Sequence, residues 1–395
     1  MNRRSFLIGT GTLALSQALV GCGSKTTLRV QVLKNSIPAQ LVNKFRRALK
    51  QADAGAVALE FTPEPQLAAL FAQLQSWKLQ ASDEQSKSTA AAIPFTRTKT
   101  VPVADLVTLG DHWLAKAIQQ QLIQPLDPTR LPGWQQLPPQ WQTLVKRDRQ
   151  GQLDPQGQIW GAPYRWGTTV IAYRVDKFKA LGWTPTDWSD LWRPELQKHI
   201  SLLNQPREVI GLALKQLGQS YNTQDLTTIP ALKAKLQALH QQAKFYSSNA
   251  YLQPLLLGDT WLAVGWSTDI LPLLQHHREI AAVVPQSGTA LWADLWVRPA
   301  TATLAASGNS GSSLLDQWIS FCWQPEMAEQ LSLLSRAASP MVTGSNRATV
   351  SPNLKANHLL LPDEQILQRS EFLAPLPDAT VAQYHSLWTE IRQVG

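Results

Sequence analysis

Short apolar or β-branched runs recur along this chain, separated by amphipathic stretches, and this alternation constrains the fold more than any single motif. Strands are expected at LRVQVL (28–33), VALEF (57–61), ADLVTL (104–109), TTVIAY (168–173), HISLL (199–203), LAVGW (262–266), IAAVV (280–284) and LWADLWV (291–297). Between them, Leu41, Val42, Phe45 and Leu49 share one stripe at helical spacing, as do Leu67, Leu70, Phe71 and Leu74. Ile210, Ala213, Leu214 and Leu217 form a third stripe, closed by Gly218, and Val381, Tyr384, Trp388 and Ile391 mark a last helix. Strand–helix alternation of this kind implies an α/β fold with mostly parallel sheets flanked by helices. Residues 80–100 break the pattern and are expected to form a polar loop or flap.

The first residues describe delivery rather than fold. MNRRSFLIGTGTLALSQALVGC has a basic start, an apolar run and a small-residue end, which reads as an export signal over residues 1–21. Arg3-Arg4 followed by Ser5-Phe6-Leu7 is of the twin-arginine type. Leu19-Val20-Gly21-Cys22 resembles the lipobox of bacterial lipoproteins, which implies cleavage before Cys22, acylation of its thiol and a lipidated tether over 22–27. Phe6 to Val20 is shorter than the roughly 20 apolar residues a membrane span needs.

The net charge of +8 falls to about +6 when Arg3 and Arg4 are removed, and the remaining bases are scattered rather than clustered, so nucleic acid is not an expected partner. With two cysteines in the chain and Cys22 acylated, Cys322 has no disulfide partner and reads as a buried small hydrophobe. The 395 residues suffice for two domains. No nucleophile elbow, H-E-x-x-H helix or Cys/His metal spacing is present, so no cofactor and no metal are expected.

TALWADLWV (289–297) places one acid among large apolar side chains. Read as a strand, Leu291, Ala293, Leu295 and Val297 share one face, while Trp292, Asp294 and Trp296 share the other. A carboxylate between indoles must be paired, solvated or protonated. It could edge a solvent-facing sheet, or it could face an organic cation, to which an indole would add roughly 0.5 to 2 kcal/mol. Glu208 stands early in the helical pattern of NQPREVIGLALKQLG, directly after a strand. Its carboxylate could simply complement the helix dipole, or it could face a ligand at the strand's carboxyl end.

WGAPYRWGTTVIAYRVDKF (160–178), DWSDLWRPEL (187–196), the PREV helix, VGWSTDI (264–270), LWADLWVRP (291–299) and WQPEMAEQ (323–330) occur in order. Together they resemble the spermidine/putrescine-binding proteins of bacterial ABC importers. The resemblance implies a two-lobe periplasmic-binding-protein fold of type II, with lobes joined by crossing strands. Lobe 1 would comprise 28–167 and 294–346, and lobe 2 would comprise 168–293 and 347–395, with lobe changes near Trp166–Thr169, Ala293 and Asn346.

The resemblance also implies that Glu208 grips an amine, that Trp266 stacks on the ligand, and that Trp292 and Asp294 box a terminal ammonium. Trp296 matches no such role and is expected to pack. Several positions depart from the family pattern. Gln205 stands where a second carboxylate is expected, Leu33, Asn35 and Ser36 replace an aromatic–acid–aromatic group, and Gly110 and His112 replace a serine and a tyrosine. Leu373 replaces a glutamine. Gln205 and His112 remain candidate ligand contacts.

Two retained acids suit a putrescine-like diamine better than spermidine. The resulting expectation is a non-enzymatic, periplasmic, lipid-anchored, monomeric solute-binding protein that closes on a small organic cation and docks on an inner-membrane ABC permease. The competing readings are a scaffold lipoprotein whose pocket has decayed and a sugar-processing extracytoplasmic enzyme.

Overall fold

The computed structural model describes residues 26–52, 57–88, 102–302 and 313–393. The export signal, Cys22 and residues 89–100 of the expected loop lie outside the described residues; Thr26 and Thr27 belong to the first strand, and the helix Leu67–Ser88 runs on past residue 80.

Every strand expected from the sequence is present, and three further short ones, Ile123–Gln124, Ala243–Tyr246 and Glu371–Phe372, join them. They form one sheet. On one side Val57–Glu64, Thr26–Leu33 and Leu106–Gly110 run parallel, and on the other so do Leu262–Trp266, Ile200–Leu202 and Ala243–Tyr246. Between these groups lie two long antiparallel strands, Ala162–Arg174 and Ala290–Pro299. The first parallel group pairs with Ala290–Pro299 and the second with Ala162–Arg174. These two crossing strands therefore carry the chain between the lobes of a mixed α/β protein.

Each lobe has its own core. The helix Ala39–Gln51 buries Leu41, Phe45 and Leu49, spaced one turn apart, each contributing roughly 1.5 to 3 kcal/mol of apolar burial. Phe45 also meets the edge of Trp318 at 5.2 Å. In the second lobe, Ile210, Ala213 and Leu214 face Tyr221, Tyr384 and Trp388 in one cluster. Gly218, at φ 72°, ends the helix Pro206–Gln216 as the sequence pattern requires. Cys322 is fully buried, and desolvation raises its thiol pKa, so it behaves as the small hydrophobe expected.

Beyond Asn346, where a lobe change is expected, the chain packs first with one core and then with the other. Val350, Leu354, Leu360 and Leu361 still pack into the first core, whereas Leu376, Tyr384 and Ile391 pack into the second. The short strand Glu371–Phe372, paired with Ala290 and Leu291, marks the passage. The apolar side chains of LKANHLLL hold to the first lobe through burial, which carries no local boundary signal.

Candidate ligand-binding site

The crossing strands fix which side chains meet. Directly opposed residues of an antiparallel pair lie on the same face. Trp292 opposes Gly167, and Asp294 opposes Arg165 on one side and Gly110 on the other. Trp266 opposes Thr169. Residues 165, 167 and 169 alternate onto one face, so all these positions share it.

At Asp294 the register slips: Leu295 faces Pro163, leaving Tyr164 as the extra residue of a β-bulge. The bulge turns Tyr164 toward the face that Arg165 already occupies. Tyr164 then stacks on Trp296 at 4.1 Å, and Arg165 meets Asp294. Trp296 is fully buried against Tyr164 and Trp318, a packing role, while Leu291, Ala293, Leu295 and Val297 are core on the opposite face.

Asp294 does not stand as a free carboxylate: Arg165 lies directly across the strands from it. Arg165 Nε donates to Asp294 Oδ2 at 2.6 Å, and the two side chains are only 4% and 2% exposed. Burial pushes the Asp294 carboxyl pKa up. Burial also opposes the Arg165 charge, yet Asp294 beside it raises the guanidinium pKa overall. The short cross-strand contact decides for an ionised pair, so the charge of Asp294 is already matched within the protein. Trp292 lies on the same cation, its ring centroid 5.9 Å from Arg165 Cζ. The indole is seated over Gly167, where a Cβ would stand 2.3 Å from Trp292 Cζ2 and 2.6 Å from Ser267 Oγ. His112 reaches the same corner: its ring covers Gly110, where a Cβ would lie 2.8 Å from Cε1. The imidazole touches solvent, but the protein around it lowers its pKa.

Glu208 has a different setting. It sits in the first turn of Pro206–Gln216, 7% exposed, where helix N–H groups favour an anion. It accepts from Thr169 Oγ1 at 2.8 Å and from Trp266 Nε1 at 3.1 Å. Among the described residues no lysine or arginine forms an ion pair with it. Burial raises its pKa. Trp266 is thereby oriented by its indole N–H and left half-buried. The Trp266 backbone N–H donates to Tyr251 Oη, which itself donates to Asp269 Oδ2 at 2.9 Å. Asp269 is exposed and within electrostatic reach of Arg165. Gln205 is exposed at the helix N-cap, and its side chain makes no capping bond.

The structure thus brings Trp292, Asp294 and His112 together at one end and Glu208 and Trp266 at the other. The sequence reading missed Arg165, Asp269 and Asp111. An arginine within the apolar run APYRWGTTVIAY demands a carboxylate partner, and that signal was available. A separate recess of about 500 Å³, bounded by Leu126, Trp134, Lys146 and Ile159, includes none of these residues.

Asp111 accepts from the Ala293 N–H at 3.0 Å, continuing the ladder where the strand Leu106–Gly110 ends. Burial, helped by nearby Asp294, raises its pKa from 3.8 to about 7. A raised carboxyl pKa means that the native state holds its proton more tightly than the unfolded chain. Its contribution to stability is therefore complete below the ordinary value and is lost as pH rises to about 7. Asp111→Asn, which keeps the acceptor, should be more stable than the parent at pH 8 and lose that advantage near pH 4. Urea titrations across this range would show it, and parallel pH dependences would refute it.

Residues 101–369 match the model of the bacterial extracellular solute-binding protein family. This chain belongs to that family. Its curated relatives include the spermidine/putrescine-binding periplasmic protein of Salmonella typhimurium, 26% identical over 288 residues, covering 73% of this chain and 77% of that protein. The putrescine-binding periplasmic protein PotF of Escherichia coli is 29% identical over 265 residues, covering 62% and 68%. Among solved structures, the spermidine/putrescine ABC transporter substrate-binding protein PotD of Streptococcus pneumoniae superposes with a TM-score of 0.72 at 18% identity, covering 93% of this chain and 99% of that one. The resemblance drawn from the sequence therefore holds, and solute-binding relatives of this kind act in transport rather than catalysis. No helix among the described residues is long and apolar enough to cross a membrane.

Proposed function

We propose that this protein is the extracytoplasmic receptor of an ABC importer and captures a small organic amine between its lobes, favouring a putrescine-like diamine over spermidine. The observation that carries this reading is Glu208: a buried carboxylate without an ion-pair partner among the described residues, held by two donors on the face the crossing strands share. An ammonium guest would supply the missing charge, and its desolvation would be offset by ion pairing. Trp266 and Trp292 would cover the methylenes, Asp269 would add a second negative oxygen, and His112 and Gln205 would border the guest. The relatives named for putrescine or spermidine support the ligand class.

Binding across the lobes would favour a closed form, and only a ligand that prefers that form shifts the population toward it. A bond between Arg336 Nη2 of the first lobe and Gln275 Oε1 of the second, 2.8 Å, is compatible with closure. The closed monomer would then dock on its permease, tethered by acylated Cys22 at the outer face of the membrane. The scaffold reading retains one observation in its favour, the cage already filled by Arg165.

A thermal and chemical stability panel separates the two. A receptor should gain about 2.7 kcal/mol when its amine is present at 100 times the dissociation constant. Putrescine, spermidine, spermine and 4-aminobutyrate form the panel. No gain with any amine would leave the scaffold reading standing.

A further inference from the structure

We infer that Arg165 is a specificity-determining residue that occupies the distal cation cage of Trp292 and Asp294 from within the chain and so limits the length of amine the cleft accepts. This rests on the amine-capture reading above. Three observations carry it. Arg165 and Asp294 are directly opposed across the crossing strands, so their pairing is built into the sheet register rather than depending on a flexible approach. The pair is buried and short, at 2.6 Å. The guanidinium also lies against Trp292, so both components of the cage, the anion and the ring face, already serve one positive charge.

A second cation entering there would meet the like charge of Arg165, and the anion of that pair is already matched. The Glu208 end is different, because its carboxylate has no such internal partner among the described residues. Thr169, which holds Glu208, and Arg165 are four residues apart on one strand, which sets the two ends roughly 13 Å apart. A putrescine-length chain gripped at Glu208 falls short of that span. A spermidine-length chain extends toward the occupied cage and brings its terminal ammonium up to Arg165. The filter is therefore electrostatic: it acts on the far charge of a longer amine.

The test is calorimetry of putrescine and spermidine with the purified parent protein, with Arg165→Gln, and with the double variant Arg165→Gln/Asp294→Asn. The parent should favour putrescine, and Arg165→Gln should move the spermidine-to-putrescine affinity ratio toward spermidine by about tenfold or more, as a vacated charged subsite requires. The double variant, with neither charge, should lose that gain. An unchanged ratio in folded Arg165→Gln would overturn the inference, as would a gain that persists in the double variant. The parent alone also decides: spermidine binding as tight as putrescine means the cage admits an ammonium with Arg165 in place. Failure of every protein to bind any amine would instead remove the amine-capture reading, and this inference with it. Spermidine binding by Arg165→Gln alone would uphold the role of Arg165 while correcting the parent's ligand.

Discussion

Glu208→Gln should abolish most amine binding while leaving the protein at least as stable as the parent. Glutamine keeps an acceptor for Trp266 Nε1 and can still bond Thr169 Oγ1, so the local geometry survives. What disappears is the charge. Removing one partner of a buried, hydrogen-bonded charge pair costs about 2 to 5 kcal/mol, which corresponds to an affinity loss of roughly 30- to several-thousand-fold. Stability should not fall, because burial already disfavours the ionised carboxylate and raises its pKa. Calorimetry with the best amine of the panel, alongside urea denaturation, reads both quantities. Retention of affinity within a factor of about three would remove Glu208 from the site.

Asp294→Asn should behave in the opposite way: its main effect is on the fold. If Asp294 boxed a terminal ammonium, as the resemblance implies, this substitution would abolish binding. With Arg165 at 2.6 Å and both side chains buried, the substitution instead strands a guanidinium in the sheet. Breaking a buried ion pair from one side typically costs about 3 to 5 kcal/mol, whereas replacing both members by apolar residues of similar volume is often neutral or stabilising. The double variant Arg165→Met/Asp294→Leu should therefore recover most of the loss. Denaturant midpoints at constant slope would establish the order parent ≈ double > single. A loss under about 1 kcal/mol for Asp294→Asn would mean that water or another group compensates Arg165, and the pair would no longer be the structural tie inferred from its burial.

Taken together, the two substitutions divide the cleft into parts with different tasks. One carboxylate, Glu208, forms no ion pair among the described residues, with Arg207 acting on it only at longer range, and under the proposed reading it would be available to a guest. The other is committed to holding two strands at the point where they pass between lobes. The two buried carboxylates differ in setting: Asp294 has an arginine directly across the sheet, whereas Glu208 is hydrogen-bonded by neutral donors, with Arg207 acting on it only at longer range.

Much of the fold was legible in the linear pattern. The period-2 and period-3.6 spacings placed all eight expected strands and the principal helical stripes, because burial of one face imposes that periodicity locally. The alternation in LWADLWV also assigned the faces of Trp292, Asp294 and Trp296 correctly, and the sequence placed Glu208 in a helix that follows a strand. Tertiary structure decided the rest. Register and the bulge at Tyr164 set Arg165 opposite Asp294, and neither can be read from residues 129 positions apart. The length of chain held by the first lobe depended on side-chain burial after Asn346 rather than on any turn signal. Sequence by itself determined which groups are chemically capable of holding a cation. Whether each remains available was settled only by its neighbours across the sheet, because the free energy of a buried charge depends on what lies within a few ångströms and not on what precedes it along the chain.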